Sequence, residues 1–220
     1  MKENKEQDPF EENHLGSSIE TPIRPDAFDL SDDEKIEAIE KHVEAILHII
    51  GMDLTDDSLK RTPHRVAKMY VKETFAGLHP ENKPKVTLFE NKYQYNQMLV
   101  EKNIQVYSMC EHHLVPIIGK CHVAYISNGE VIGLSKINRI VKYFSKRPQV
   151  QERLTQQIME ELKSALKTND VAVVIDAAHM CVATRGIEDV NSSTVTAAIS
   201  GQFKDEATRA EFLKYISLGN

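Results

Sequence analysis

Apolar residues in the first third of the chain recur at helical spacing. Ile36, Ile39, Val43, Ile46, Leu47 and Ile50 line one face. Ser31, with Glu34 three residues on, forms a capping box ahead of that face, and Gly51 supplies a stop. A second helix is expected to open at Thr62-Pro63, with Thr62 as cap and Pro63 in the first turn. Its apolar face is Val66, Met69, Tyr70 and Phe75, and Gly77 is its expected end. Strand-like content follows at residues 104–109 and 121–127, with a short strand at 131–133. Helix signals return over 135–144 and break at Arg147-Pro148. The stretch 150–167 carries Leu154, Ile158, Leu162 and Leu166 along one helical face. Residues 171–176 read as a buried strand, 193–200 as a further strand and 207–218 as a last helix.

The order is helices, two strands, two helices, two strands, helix. That predicts an α+β fold, an antiparallel sheet with helices on one face and an N-terminal helical extension. The main strands are too few to close a barrel, and an exposed sheet edge invites pairing, so oligomerisation through the sheet is expected. Three regions follow: a tail over residues 1–30, a helical region over 31–95 and the main domain over 96–220. The tail is rich in charge, and Pro22, Pro25 and Phe28 predict extended, docked chain near its end.

Charge narrows the function. The net charge is −6, from 33 acidic and 27 basic residues, which argues against a nucleic-acid partner. No apolar run approaches the ~20 residues of a membrane span. The first twenty residues lack the apolar core of a signal peptide, so no membrane partner and a cytoplasmic location are expected. Cys110, Cys121 and Cys181 are an odd set, which favours free thiols or metal ligands over disulfides.

The densest chemistry lies at Cys110-Glu111-His112-His113, where Cys110 and His113 have C-x-x-H spacing. A second cluster, His179-Met180-Cys181, follows a buried strand. If the two strand ends meet, Cys110, His113 and Cys181 offer three thiolate and imidazole ligands with one position open, the catalytic arrangement for zinc. His112 and His179 are then free to move protons. Cys121 and His122 compete as ligands, but on a strand they face opposite ways, and Cys121 is expected in the core. Ser135, Lys136 and Arg139 at a helix start, and Arg185 beyond the second cluster, could hold phosphate oxygens or could be solvated. Glu152 opens the long helix, beside Gln151; it could be an ordinary first-turn carboxylate or a partner for a base.

Several of these motifs together resemble the zinc-dependent GTP cyclohydrolase I family. They are CEHH at 110–113, GLSKINR at 133–139, RPQVQERLT at 147–155, HMC at 179–181 with Arg185-Gly186, and TPHRVAKM at 62–69. The likeness spans roughly residues 20–218. It implies the tunnelling fold, with residues 96–220 as its catalytic domain and a barrel completed by a homodecamer of two stacked pentamers. It implies one zinc ion per subunit on Cys110, His113 and Cys181, and GTP as the small-molecule partner. The implied chemistry is attack of a zinc-activated water on C8 of guanine, release of formate and closure to 7,8-dihydroneopterin triphosphate, the entry to pterin biosynthesis. His112 and His179 would transfer protons, and Glu152 would anchor the base, with Gln151 and Glu111 as further contacts. Lys68, Ser135, Lys136, Arg139 and Arg185 would hold the triphosphate, not all from one chain. Two other classes are weighed: a tunnelling-fold enzyme acting on a pterin or deazapurine, and a non-enzymatic zinc-stabilised GTP-binding module.

Overall fold

A computed structural model describes residues 18–218; the earlier part of the expected tail lies outside the described residues. Helix α1 spans Asp32–Ile49. Its capping box is formed as expected, Ser31 and Glu34 each satisfying the other's backbone N–H. At its end the Gly51 N–H donates to His48 O and the Met52 N–H to Leu47 O. Gly51 has φ +89°, so a glycine completes this Schellman turn without steric cost.

Helix α2 spans Thr62–Met69 and departs from expectation at both ends. Arg61 holds the N-cap position without a side-chain bond, and Thr62 is already helical. Beyond Met69 the chain widens into a π-helical segment, Tyr70–Thr74. Gly77 therefore does not terminate the helix. Its N–H donates to Lys146 O at 2.9 Å, so it seats this segment against the following domain.

The sheet is built from β2 (Met98–Cys110), β3 (Pro116–Ile126), β6 (Val171–His179) and β7 (Thr194–Ile199), all antiparallel. The two-residue β5 (Pro148–Gln149) adds in parallel to the Cys110 end of β2. A small ribbon pairs β1 (Leu88–Glu90) with β4 (Glu130–Ile132). Helices α3 (Leu134–Ser145) and α4 (Gln151–Leu166) cover one face. There Val106, Val123, Val173 and Ile175 pack against Ile137, Ile140, Leu154 and Ile158. Because side chains alternate across a strand, Ala124, Ala172 and Val174 point the other way. They meet Phe203 and Phe212, the latter from the last helix, α6 (Glu206–Ser217), which covers one end of the opposite face. The rest of that face stays open: Tyr107, its partner Ile118 and Val195 are exposed. A short helix, α5 (Met180–Ala183), follows β6 directly. Four residues are too few for a periodic signal, so the sequence could not announce it. No helix among the described residues is long and apolar enough to cross a membrane.

Cys121 is fully buried in the core, as expected, and burial pushes its thiol pKa far up. His122 is buried on the other side of β3. Its Nδ1 accepts the Asn103 N–H at the irregularity in β2. Burial, then Lys120 and Lys102, hold its pKa below the ordinary imidazole value, with Asp176 opposing. In the unfolded chain that imidazole titrates near ~6.5. Below that pH the unfolded state takes up the proton first, so stability is lost as pH falls through ~6.5 toward the lower folded value. Urea midpoints at about pH 7.5 and about pH 5.5 should therefore differ less in His122→Gln than in the parent. A Cβ on Gly77 would lie 2.0 Å from Tyr143 O and 2.8 Å from Lys146 O. Gly77→Ala should cost about 1–3 kcal/mol or more, read as a lowered melting temperature.

Candidate active and metal site

Strand register assembles the site. In the β2–β3 hairpin Met109 pairs with Pro116, and across the next ladder Ile117 pairs with His179. The turn after Cys110 and the end of β6 therefore fall at the same edge of the sheet. The turn is closed by the Cys110 N–H donating to Val115 O at 2.8 Å, with Leu114 in the left-handed region at φ +51°. Cys181 enters from α5, two residues past His179.

The result is a Cys110, His113 and Cys181 group whose candidate ligand atoms all lie within 4.8 Å of one another. Cys110 Sγ is 3.9 Å from His113 Nδ1 and 4.0 Å from His112 Nδ1. Two sulfurs and one ring nitrogen at this spacing fit a single tetrahedral ion of the zinc type. The donor chemistry and the geometry agree, so this group could bind a metal.

Around the triad the polar groups are engaged. Arg185 Nη1 lies 2.7 Å from His113 Nε2. His179 Nε2 donates to Gln151 Oε1 at 2.7 Å. The ring is half-buried; burial lowers its pKa, with the Glu152 carboxylate opposing, which favours the neutral imidazole. Gln151 is itself buried, and its amide donates to Ile175 O, Thr194 O and Thr196 Oγ1. The Gln151 amide, expected beside a bound base, is here spent on the sheet and on His179.

Glu152 stays exposed and lines a cavity of about 900 Å³ with Glu111, His112, Pro148, Thr21 and Ile23. Glu111 faces this cavity, yet both its oxygens are taken by Arg153, whose side chain is only 2% exposed. Sequence reasoning gave no role at the site to Arg153 or to residues 21–24, which line this cavity. One signal was present: a cation in the first turn of a helix opposes the helix dipole and needs a reason to be there.

The phosphate candidates other than Arg185 sit elsewhere on the chain. Asn138, on α3, bonds Glu101, so Ser135 and Lys136 lie near the end of β2 remote from Cys110. Cys110 lies nine positions beyond Glu101 along the strand, roughly 30 Å. Arg139 lines a separate cavity with Lys142 and Lys146. Lys68 lies on α2, in a cavity lined by Asp33, Glu37 and Glu40 of α1.

Residues 39–217 match the family model for GTP cyclohydrolase I. The chain belongs to the GTP cyclohydrolase I family. It is 63% identical to GTP cyclohydrolase 1 of Flavobacterium johnsoniae over 211 residues, 96% of this chain and 95% of that one. It is 57% identical to the Vibrio parahaemolyticus GTP cyclohydrolase 1 over 196 residues, 89% of each chain. The protein of that name from Salmonella arizonae is 51% identical over 203 residues, 92% and 91% of the two chains. The chain is thus an enzyme of this family, acting on GTP, and its curled mixed sheet is that of the tunnelling fold.

The burial of Gln151 carries its own expectation. Gln151→Leu strips the donor from the buried Ile175 carbonyl and the part-buried Thr194 carbonyl, and the acceptor from His179. It should cost about 1–3 kcal/mol in thermal or urea unfolding.

Proposed function

We propose that this member of the GTP cyclohydrolase I family is a zinc enzyme whose ion, one per subunit, is held by Cys110, His113 and Cys181. The convergence of these three donors from two distant segments is the observation that carries the reading. Zinc, when bound, supplies Lewis-acid activation of water near neutral pH. Water adds at C8 of guanine and opens the imidazole ring to a formamide, and a second water cleaves that amide, releasing C8 as formate and freeing the pyrimidine amine. The opened ribose then rearranges to a ketose, whose carbonyl condenses with that amine with loss of one water, giving 7,8-dihydroneopterin triphosphate.

The chain's own residues bind the substrate and move its protons. Glu152 lines its cavity from the first turn of α4, and in this reading it accepts hydrogen bonds from the guanine amino group and ring N–H. His179 has Nε2 committed to Gln151, so its Nδ1 is the atom left to exchange protons with substrate. His112, beside Cys110 and lining the Glu152 cavity, serves as the second proton carrier. Gln151 acts through His179, by holding its ring and tautomer. Glu111 contributes through the turn it occupies.

The triphosphate is held by Arg185 from the same chain and by Lys68, Ser135, Lys136 and Arg139 supplied by neighbouring copies. Two observations support this division. Within one chain Ser135 and Lys136 lie near the far end of β2. The open sheet face also exposes Tyr107, Ile118 and Val195, an apolar patch suited to association. A decamer of two stacked pentamers, closing the sheet into a barrel, satisfies both. In this reading residues 96–220 form the catalytic domain, 31–95 the helical region and 1–30 an N-terminal tail.

Zinc-replete protein incubated with GTP should release formate and give a fluorescent pterin after oxidation; absence of both ends the reading. Cys181→Ser should lose stoichiometric zinc, measured by metal analysis, and turnover should fall at least ~10³-fold, with GTP binding largely retained.

A further inference from the structure

Arg153, on α4, sits at the junction of three segments, and its guanidinium binds the other two. Nη1 and Nη2 both donate to the Glu111 carboxylate, and Nε donates to Ser18 O at 2.7 Å. Glu111 stands between Cys110 and His112, and its Oε1 lies 3.8 Å from His112 Nε2. Its own N–H donates to Gln149 O, on β5. Arg153 is next to Glu152 on α4. One planar cation therefore spans the Cys110–His113 turn, the base-facing end of α4 and the N-terminal strap of residues 18–24.

The strap is held by further bonds from the same neighbourhood. Arg147 Nη1 donates to Thr21 Oγ1, and Gln157 Nε2 donates to Ile19 O and Thr21 Oγ1. Thr21, Ile23 and Arg24 then wall the cavity that contains Glu111, His112 and Glu152. A two-pronged guanidinium fixes angle as well as distance, and a buried one resists rotation, because turning it strands donors away from water. That is the property needed to keep a ligand-bearing turn in register with a base-binding helix.

We infer that Arg153 is a positioning residue of the reaction, acting through Glu111 and the strap rather than on substrate. It holds the Cys110–His113 turn in the geometry its donors require and, through Ser18, seats the strap whose residues 21–24 wall the base cavity. This rests on the proposed metal triad. Arg153→Lys keeps the charge but loses the fork. Arg153→Met combined with Glu111→Leu removes both charges, leaving neither stranded in the interior.

The test compares the parent with both variants, full-length and metal-loaded, for melting temperature, kcat, KM for GTP, and the rate at which a colorimetric chelator draws off zinc. Both variants should release zinc on the order of 10- to 100-fold faster than the parent. Their kcat should fall by on the order of 10- to 100-fold, while KM rises less. In the double variant this should persist even though its melting temperature returns toward the parent's. Parent-like zinc release and kcat in either variant would overturn the inference. So would a rise in KM with kcat unchanged, which would make the pair a substrate contact. A parent that binds no zinc at all would instead sink the triad itself.

Discussion

The site depends on the register of one strand. β3 is hydrogen-bonded on both sides, to β2 through Met109 and Pro116 and to β6 through Ile117 and His179. Those two pairings place residue 110 beside residues 179–181, seventy positions later in the chain. A slip of one residue on either ladder would turn the strand's side chains to the opposite face and carry the two donor clusters apart. The register is held by burial. Val123, Val173 and Ile175 must face α3 and α4, while Ala124, Ala172 and Val174 must face α6. The two faces differ in size: a one-residue slip would drive Val123, Val173 and Ile175 into the space that Ala124, Ala172 and Val174 fit beneath Phe203 and Phe212.

Around that frame, buried polar side chains are placed where each bond does two things. Gln151 satisfies carbonyls of β6 and β7 and also accepts from His179. Arg153 satisfies Glu111 and a strap carbonyl at once. Arg147 stacks on Tyr143 and Phe144, its guanidinium 4.6 Å from each ring, while donating to Gly77 O and Thr21. Burial of these groups is tolerated because their main donors find partners, and the same partners tie the helical region and the strap to the domain that bears the site.

A single chain holds the donor triad, the Glu152 cavity and Arg185, while Lys68, Lys136 and Arg139 occupy other surfaces. Lys68 faces acidic residues of α1, and Arg139 shares a cavity with Lys142 of its own helix and Lys146 at that helix's C-cap. In the proposed assembly, an active site composed from several copies would reconcile these positions with the open apolar face of the sheet. Assembly would then complete the barrel and the substrate pocket in one step, so that no lone subunit presents a reactive centre.

Much of this was written in local pattern. The capping box at Ser31, the Gly51 stop, the α3 and α4 amphipathic faces and the apolar 171–176 run each depend on neighbours within a few residues, and each formed where periodicity placed it. The Cys and His clusters were visible too, since few residue types do that chemistry. Other features were set only by the tertiary fold. Thr62 ceded the cap position to Arg61, and Gly77 was needed for a close approach to α3, not for a helix end. The partners of Gln151 and Glu111 lie across packed elements, and nothing in their flanking residues names them. Sequence by itself determined which groups could act, because side-chain chemistry and helix or strand period are local. Only the tertiary structure decided which of them meet, because strand register and the satisfaction of buried polar atoms are set between segments far apart in the chain.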